Sequence, residues 1–146
     1  MTRGTAYLIT DKQLYYSDEF NGEMYPSGYG KDFLRLVNNT TVESFKNDMK
    51  NFNDSHHNYE NFETCEIPLS KWDIIKSNKT INIDMTDRYF EFFFSDWIFF
   101  KNLSTKTIKL KVEDKTQLGY VNFITVKIGE SVAVNFGSYA NHYFYN

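Results

Sequence analysis

Hydrophobic and polar positions along the chain change period several times, and each change marks an element. "TAYLIT" (5–10) is a continuous apolar run of strand length, and "LYYSDEF" (14–20) follows it across the polar turn Asp11-Lys12-Gln13, so the two predict an N-terminal β-hairpin. After Gly30 the pattern becomes helical: Phe33, Leu34, Leu36 and Val37 share one side of a helix that ends at Asn38-Asn39. Thr40-x-x-Glu43 reads as a capping box, and Val42, Phe45, Met49 and Phe52 then recur at i, i+3, i+7 and i+10, the spacing of an amphipathic helix. "ENFETCEIP" (60–68) predicts a short strand. "LSKWDIIKSN" (69–78) predicts a short helix capped by Ser70, and "TDRYFEFF" (86–93) a further short helix capped by Thr86 and ending near Ser95. "WIFFKNL" (97–103) is the run of a strand buried on both faces, and "KTIKLKV" (106–112) alternates strictly, with Ile108, Leu110 and Val112 on one face and lysines on the other. "YVNFITVKI" and "SVAVNF" complete the chain's strands, with Gly129-Glu130 as a hairpin turn between them. The fold class expected is α+β: an N-terminal β-hairpin, two or three short helices and a C-terminal antiparallel sheet, in one domain over residues 1–146.

Composition narrows the class of object. Aromatic residues make up 18% of the 146 residues, against only 2 prolines and 7 glycines, the reverse of the bias that keeps a chain disordered. Net charge is −3, from 16 basic and 19 acidic residues. That balance argues against direct nucleic-acid binding through a broad basic face. Two acidic clusters, Asp18/Glu19/Glu23 and Glu60/Glu63/Glu66, stand out locally. Cys65 is the only cysteine, so no intrachain disulfide forms and a reducing compartment fits. "MTRGTAYLIT" has no charged segment leading into an apolar one, so no secretory signal is expected. The longest apolar stretch (89–100) is broken by Glu91, Ser95 and Asp96, well short of the ~20 residues a membrane helix needs. A cytoplasmic protein with no membrane association is the expectation.

Each constellation that could carry chemistry has a plainer competitor. His56-His57, with His142 and Cys65, lacks the spacing of a metal site, and adjacent side chains point apart; no metal or cofactor is expected. Cys65 in an alternating apolar segment is a small hydrophobe before it is a nucleophile. "SGYGKD" (27–32) departs twice from the phosphate loop: Tyr25 stands five before Gly30 where that loop has glycine, and Asp32 follows Lys31 where it has Ser or Thr. Glu19 and Glu23 also oppose an anion there. The plain reading is a strand-to-helix turn in which Pro26 sets φ, the glycines relieve crowding, and Tyr25 and Tyr29 pack back on the hairpin. The C-terminal "YANHYFYN" either docks on its own sheet or offers Tyr139, Tyr143 and Tyr145 to a partner.

Thr2-Arg3-Gly4 and "NGEMYPSGYGKDF" (21–33) together resemble a set of small, mostly uncharacterised phage and prophage proteins. Those begin Thr-Arg-Ser/Gly and carry a His-x-Asp-x-Tyr-Pro-x-Gly-x-Gly segment. Tyr25, Pro26, Gly28 and Gly30 match; Asn21 stands where that pattern has His and Glu23 where it has Asp, so no acid–base role carries over. The resemblance covers under a quarter of the chain and implies a phage or mobile-element origin. On that origin, a small protein with no catalytic constellation is expected to inhibit a host defence system in the infected bacterial cytoplasm, in the manner of an anti-CRISPR protein. It would bind a host protein or nucleoprotein effector through Glu19, Glu23, Tyr25, Tyr29, Tyr139, Tyr143 and Tyr145. Two alternatives stay open: a small enzyme or nucleotide-binding module centred on Tyr25–Gly30, with Arg3, Glu19 and Lys31 as its polar groups, and a toxin-immunity protein.

Overall fold

A computed structural model of the chain describes residues 2–56, 60–71, 74–76, 80–84, 96–113, 121–135 and 143–145. Eleven strands and two α-helices follow in the order β1 (Arg3–Ile9), β2 (Gln13–Ser17), β3 (Phe20–Asn21), α1 (Lys31–Asn39), α2 (Phe45–His56), β4 (Thr64–Pro68), β5 (Ile74–Lys76), β6 (Thr80–Asp84), β7 (Trp97–Asn102), β8 (Thr107–Glu113), β9 (Val121–Val126), β10 (Ser131–Asn135) and β11 (Tyr143–Tyr145), counted among the described residues. The fold is α+β, with the expected β1–β2 hairpin and two helices.

The strands divide between two sheets. The first runs β11-β10-β7-β1-β2-β4, with β3 added to β1 beyond this path; the second runs β5-β6-β8-β9. Both are mixed, because β1 pairs β7 in parallel and β6 pairs β8 in parallel while the remaining pairs are antiparallel.

Strand period explains the layering. On β1, Tyr7 and Ile9 point to one face of the first sheet, and Ala6 and Leu8 to the other. Tyr7 and Ile9 join Ile98, Phe100, Val132 and Val134 against Ile81, Ile83, Ile108, Leu110, Ile124 and Val126 of the second sheet. Ala6 and Leu8 join Phe99 and Ala133 beneath Phe33, Leu34 and Val37 of α1 and Phe45, Met49 and Phe52 of α2. The first sheet is therefore the middle of three layers. This is why β7 and β10 are buried at every position and read as unbroken apolar runs. The helix-side core is a chain of phenylalanine rings: Phe20 lies 4.7 Å from Phe33, 5.1 Å from Phe52 and 4.6 Å from Phe62, and Phe33 lies 4.7 Å from Phe99.

Four local expectations change. The reciprocal bonds that start α2 run one residue later than a Thr40/Glu43 box: Thr41 N donates to Ser44 Oγ (3.0 Å) and Ser44 N to Thr41 Oγ1 (3.1 Å), while Thr40 Oγ1 and Ser44 Oγ both donate to Asp48. The stretch expected to be a helix from Leu69 makes only a 3-10 turn, Leu69–Lys71. It then extends as β5, where β-branched Ile74 and Ile75 pair with Ile83 and Asn82. β6, unexpected from the sequence, inserts beside β8. The tight turn at Gly129 does not close a hairpin, since β9 stays in the second sheet and β10 crosses to the first. Its backbone instead brackets Asn102: Gly129 N donates to the Asn102 carbonyl and Asn102 N to that of Glu130. The helix expected over 86–93 lies outside the described residues.

Asn102 ties the layers together. Its buried amide donates to Lys106 O (2.8 Å) and Val126 O (3.1 Å), and its Oδ1 accepts from Ser104 N (2.9 Å) and Oγ (2.6 Å). Asn53 and Asn102 are both fully buried, which closes two of the chain's five Asn-x-Ser/Thr sequons to modification.

Candidate interaction surface

Thr2-Arg3-Gly4 and the segment 21–33 fold against each other. Thr2 O accepts from Gly22 N, and Thr2 Oγ1 accepts from Met24 N at 2.7 Å. Arg3 lies between two carboxylates, 3.8 Å from Glu19 and 3.8 Å from Asp96, and its backbone N donates to Asp96 Oδ2 at 2.8 Å. Gly4 leaves room for Phe99 and Met24: a Cβ there would stand 2.9 Å from the Phe99 ring and 3.2 Å from the Met24 methyl. This packing accounts for a small residue after Thr-Arg.

Beyond Met24, Pro26–Gly30 form one wide turn of π type that runs directly into α1. Its amides already have acceptors. Gly28 N and Gly30 N donate to Tyr25 O (2.9 and 3.1 Å), and Tyr29 N donates to Glu23 O at 2.6 Å. Backbone also fills its interior, since a Cβ on Gly30 would lie 2.1 Å from Met24 O and 2.7 Å from Tyr25 O. A phosphate cradle needs inward amides without acceptors; these three are used in closing the turn.

The turn sends its side chains in different directions. Tyr25 is half-buried against the helix-side core, Glu23 is exposed, and Tyr29 stands 39% exposed, its ring edge on His56 at 4.7 Å. His56 stacks on Phe52 at 4.1 Å, continuing the phenylalanine chain to the surface. His56 thus ends α2 as an aromatic cover. His57 and His142 lie outside the described residues, and among those described no cluster of His, Cys, Asp and Glu could hold a metal. Tyr139 also falls outside them. Tyr143 and Tyr145 belong to β11, with Val134 and Val132 as their partners on β10, so the tail continues the first sheet.

The β2–β4 pairing creates something no local stretch shows. It sets Tyr15 opposite Glu66 and Ser17 opposite Thr64, which brings the two acidic clusters together. Asp18 N donates to Glu63 O, and Asp18 Oδ2 accepts from Glu63 N, both at 2.8 Å. Glu43, from the turn before α2, joins them: burial pushes the Tyr15 hydroxyl pKa up, and the charges of Glu66 and Glu43 push it further. The pairing therefore brings Asp18 against Glu63 and sets Glu66 and Glu43 beside Tyr15. Exposed Cys65 lies on the opposite alternation of the same strand, next to Tyr16, whose pKa is raised by burial first and by Cys65 second.

Lys101 was hidden in an apolar run. It is 9% exposed on β7, and its ammonium donates to the carbonyl and the side-chain oxygen of Asn38 in the last turn of α1; Ser131 Oγ donates to the same Asn38 Oδ1 at 2.9 Å. A cation at a helix C-terminus faces the negative end of the helix dipole. Burial lowers the Lys101 pKa. The signal available in sequence was a lone lysine within "WIFFKN", where a strand buried on both faces offers no route to water.

Comparison with protein-family models, with curated proteins and with solved structures finds no match to this chain. Among the described residues no helix is long and apolar enough to cross a membrane.

Proposed function

We propose that this chain is a phage-encoded accessory protein that inhibits a host defence system by binding one of its proteins, in the manner of an anti-CRISPR protein. The observation that carries the reading is the β2–β4 pairing, which brings two acidic clusters together on the surface at Asp18 and Glu63. Such a surface complements the basic face of a protein that handles nucleic acid, and complementary charge speeds encounter and selects partners. Tyr29 and His56, at the exposed end of the phenylalanine chain, supply an aromatic anchor of the kind that dominates binding energy. Glu23, whose carbonyl accepts from Tyr29 N, lies beside it, and Glu19 lies against Arg3. The closed Tyr25–Gly30 turn favours binding by surface over binding of a nucleotide within that turn.

The test pairs a cell assay with a variant. The chain is expressed in bacteria whose CRISPR system restricts a targeted plasmid, and transformation is counted. The reading expects recovery at least tenfold above the empty vector. It expects that recovery to vanish for Glu63→Lys/Glu66→Lys, two exposed positions whose change leaves the melting temperature unaltered. No recovery against any system tested, together with no stoichiometric partner captured from host lysate, refutes it.

A further inference from the structure

The outer face of the second sheet has no part in that reading. With Ile108 and Leu110 buried, the alternation of β8 turns Lys109 outward, and the register sets Asn82 of β6 and Thr125 of β9 on either side of it. Phe123 follows on the same face, opposite Lys111. It is 58% exposed, more than any other aromatic side chain among the described residues. Among the described residues every other phenylalanine whose burial is defined lies in the core, so this ring on a flat strand stands apart. The ammonium of Lys109 lies 5.5 Å from its centroid. Exposed Lys127 continues β9 on the same alternation. Of the acidic register positions of this face, Asp84 stands directly opposite Lys111 and Glu113 two residues beyond it, so the cationic part of the face is Lys109 and Lys127. The net charge of −3 therefore conceals a local separation, with Asp18 against Glu63 beside the first sheet and Lys109 and Lys127 beside one aromatic ring on the second.

We propose that this face is a platform for single-stranded nucleic acid, with Phe123 stacking on a base and Lys109 and Lys127 neutralising the phosphates that flank it. An exposed ring on a sheet reaches the π-face of an unstacked base, which a duplex keeps covered. Stacking tolerates any base, so the site selects single strands over duplexes and not one sequence over another. The charge balance of the whole chain disfavours a broad phosphate-binding surface but not a site of two lysines beside one ring. Such a site is weak and salt-sensitive: at ~0.7 per phosphate contact on a single strand, affinity falls roughly sevenfold between 50 and 200 mM salt. The proposal is independent of the protein-binding reading, which uses the other sheet.

The test is fluorescence anisotropy of a fluorescein-labelled 20-nucleotide oligouridine titrated with the intact protein. The expected result is micromolar binding at 50 mM salt. Phe123→Ala should weaken it about tenfold at an unchanged salt slope, since one base stack is lost. Lys109→Ala should lower the slope by about 0.7. Both side chains are exposed, so both variants should keep the wild-type melting temperature; Phe123→Leu, which retains apolar surface without a ring, should match Phe123→Ala. No anisotropy change at 100 μM protein in 50 mM salt overturns the proposal. So does binding unaffected by both Phe123 variants, competition by a duplex as strong as by the single strand, or equal affinity for polyglutamate, which would mark an acidic protein as the partner.

Discussion

Replacing Gly30 by alanine sets two physical effects against each other, and the structure decides between them. Gly30 has helical dihedrals, φ −60° and ψ −37°, at the entrance of α1. On backbone grounds alone, Gly→Ala at such a position stabilises by about 0.4–1 kcal/mol, because it restricts the unfolded chain. The new Cβ, however, would stand 2.1 Å from Met24 O and 2.7 Å from Tyr25 O, both backbone atoms. Relieving the first contact requires the turn to open by about 1 Å, since carbon and oxygen pack no closer than roughly 3 Å. That movement breaks or stretches the bonds from Gly28 N, Tyr29 N and Gly30 N, at about 1 kcal/mol each. The net expectation for Gly30→Ala is a loss of about 2–3 kcal/mol, opposite in sign to the propensity argument. Urea denaturation followed by tryptophan fluorescence measures it, with the midpoint falling at an unchanged m-value. If the variant is as stable as the wild type, or more so, then the turn has room that the geometry denies, and the account of why its interior excludes a ligand fails with it.

The remaining predictions concern the core and its buried polar groups. Because burial lowers the Lys101 pKa below its unfolded value of 10.5, the unfolded chain binds more protons in the window between the two values. Stability should therefore rise as pH climbs through that window; Tyr15 and Tyr16, with raised pKa values, oppose the trend above pH 10. Lys101→Met should abolish the rise in melts at pH 8 to 10, and a variant that keeps it would refute the assignment. Phe33→Ala, at a fully buried ring packed on Phe20, Phe52 and Phe99, should cost about 3–5 kcal/mol in the same denaturation assay. Asn102→Asp, nearly isosteric, replaces a donor with an anion facing the carbonyls of Lys106 and Val126. It should destabilise by about 3–5 kcal/mol at neutral pH and recover part of that loss at acid pH, where the carboxyl can donate again.

Periodicity made much of the fold legible. The apolar runs of β1, β7 and β10 and the alternation of β8 marked strands, and Phe45, Met49 and Phe52 marked the buried stripe of α2. Partnership was what periodicity could not carry. The turn at Gly129 has the residues of a hairpin, yet Asn102 claims its backbone and sends β10 into the other sheet. β5 and β6 are too short to announce a period and gain their identity from pairing with each other and with β8. The acidic surface was invisible for the same reason, because Asp18 and Glu63 stand 45 residues apart and meet only through a strand register. The site of Lys101 was not legible from its own chemistry: a lysine in an apolar strand usually reaches water with its ammonium, and here the last turn of α1 receives it instead.

The parallel pairing of β1 with β7 also sets an order of events. Gly4 to Ile9 find their partners at Trp97 to Asn102, so one edge of the earliest strand waits for residues made more than ninety positions later. At a synthesis rate of ~5–20 residues per second, that strand is exposed for roughly 5–20 seconds before its neighbour exists. During that interval the described elements available to shield it are those from β2 to β6, the two helices among them. The middle strand of the finished protein is thus among the last to be completed, and the "TAYLI" stretch is where a nascent chain is most exposed to joining the wrong partner.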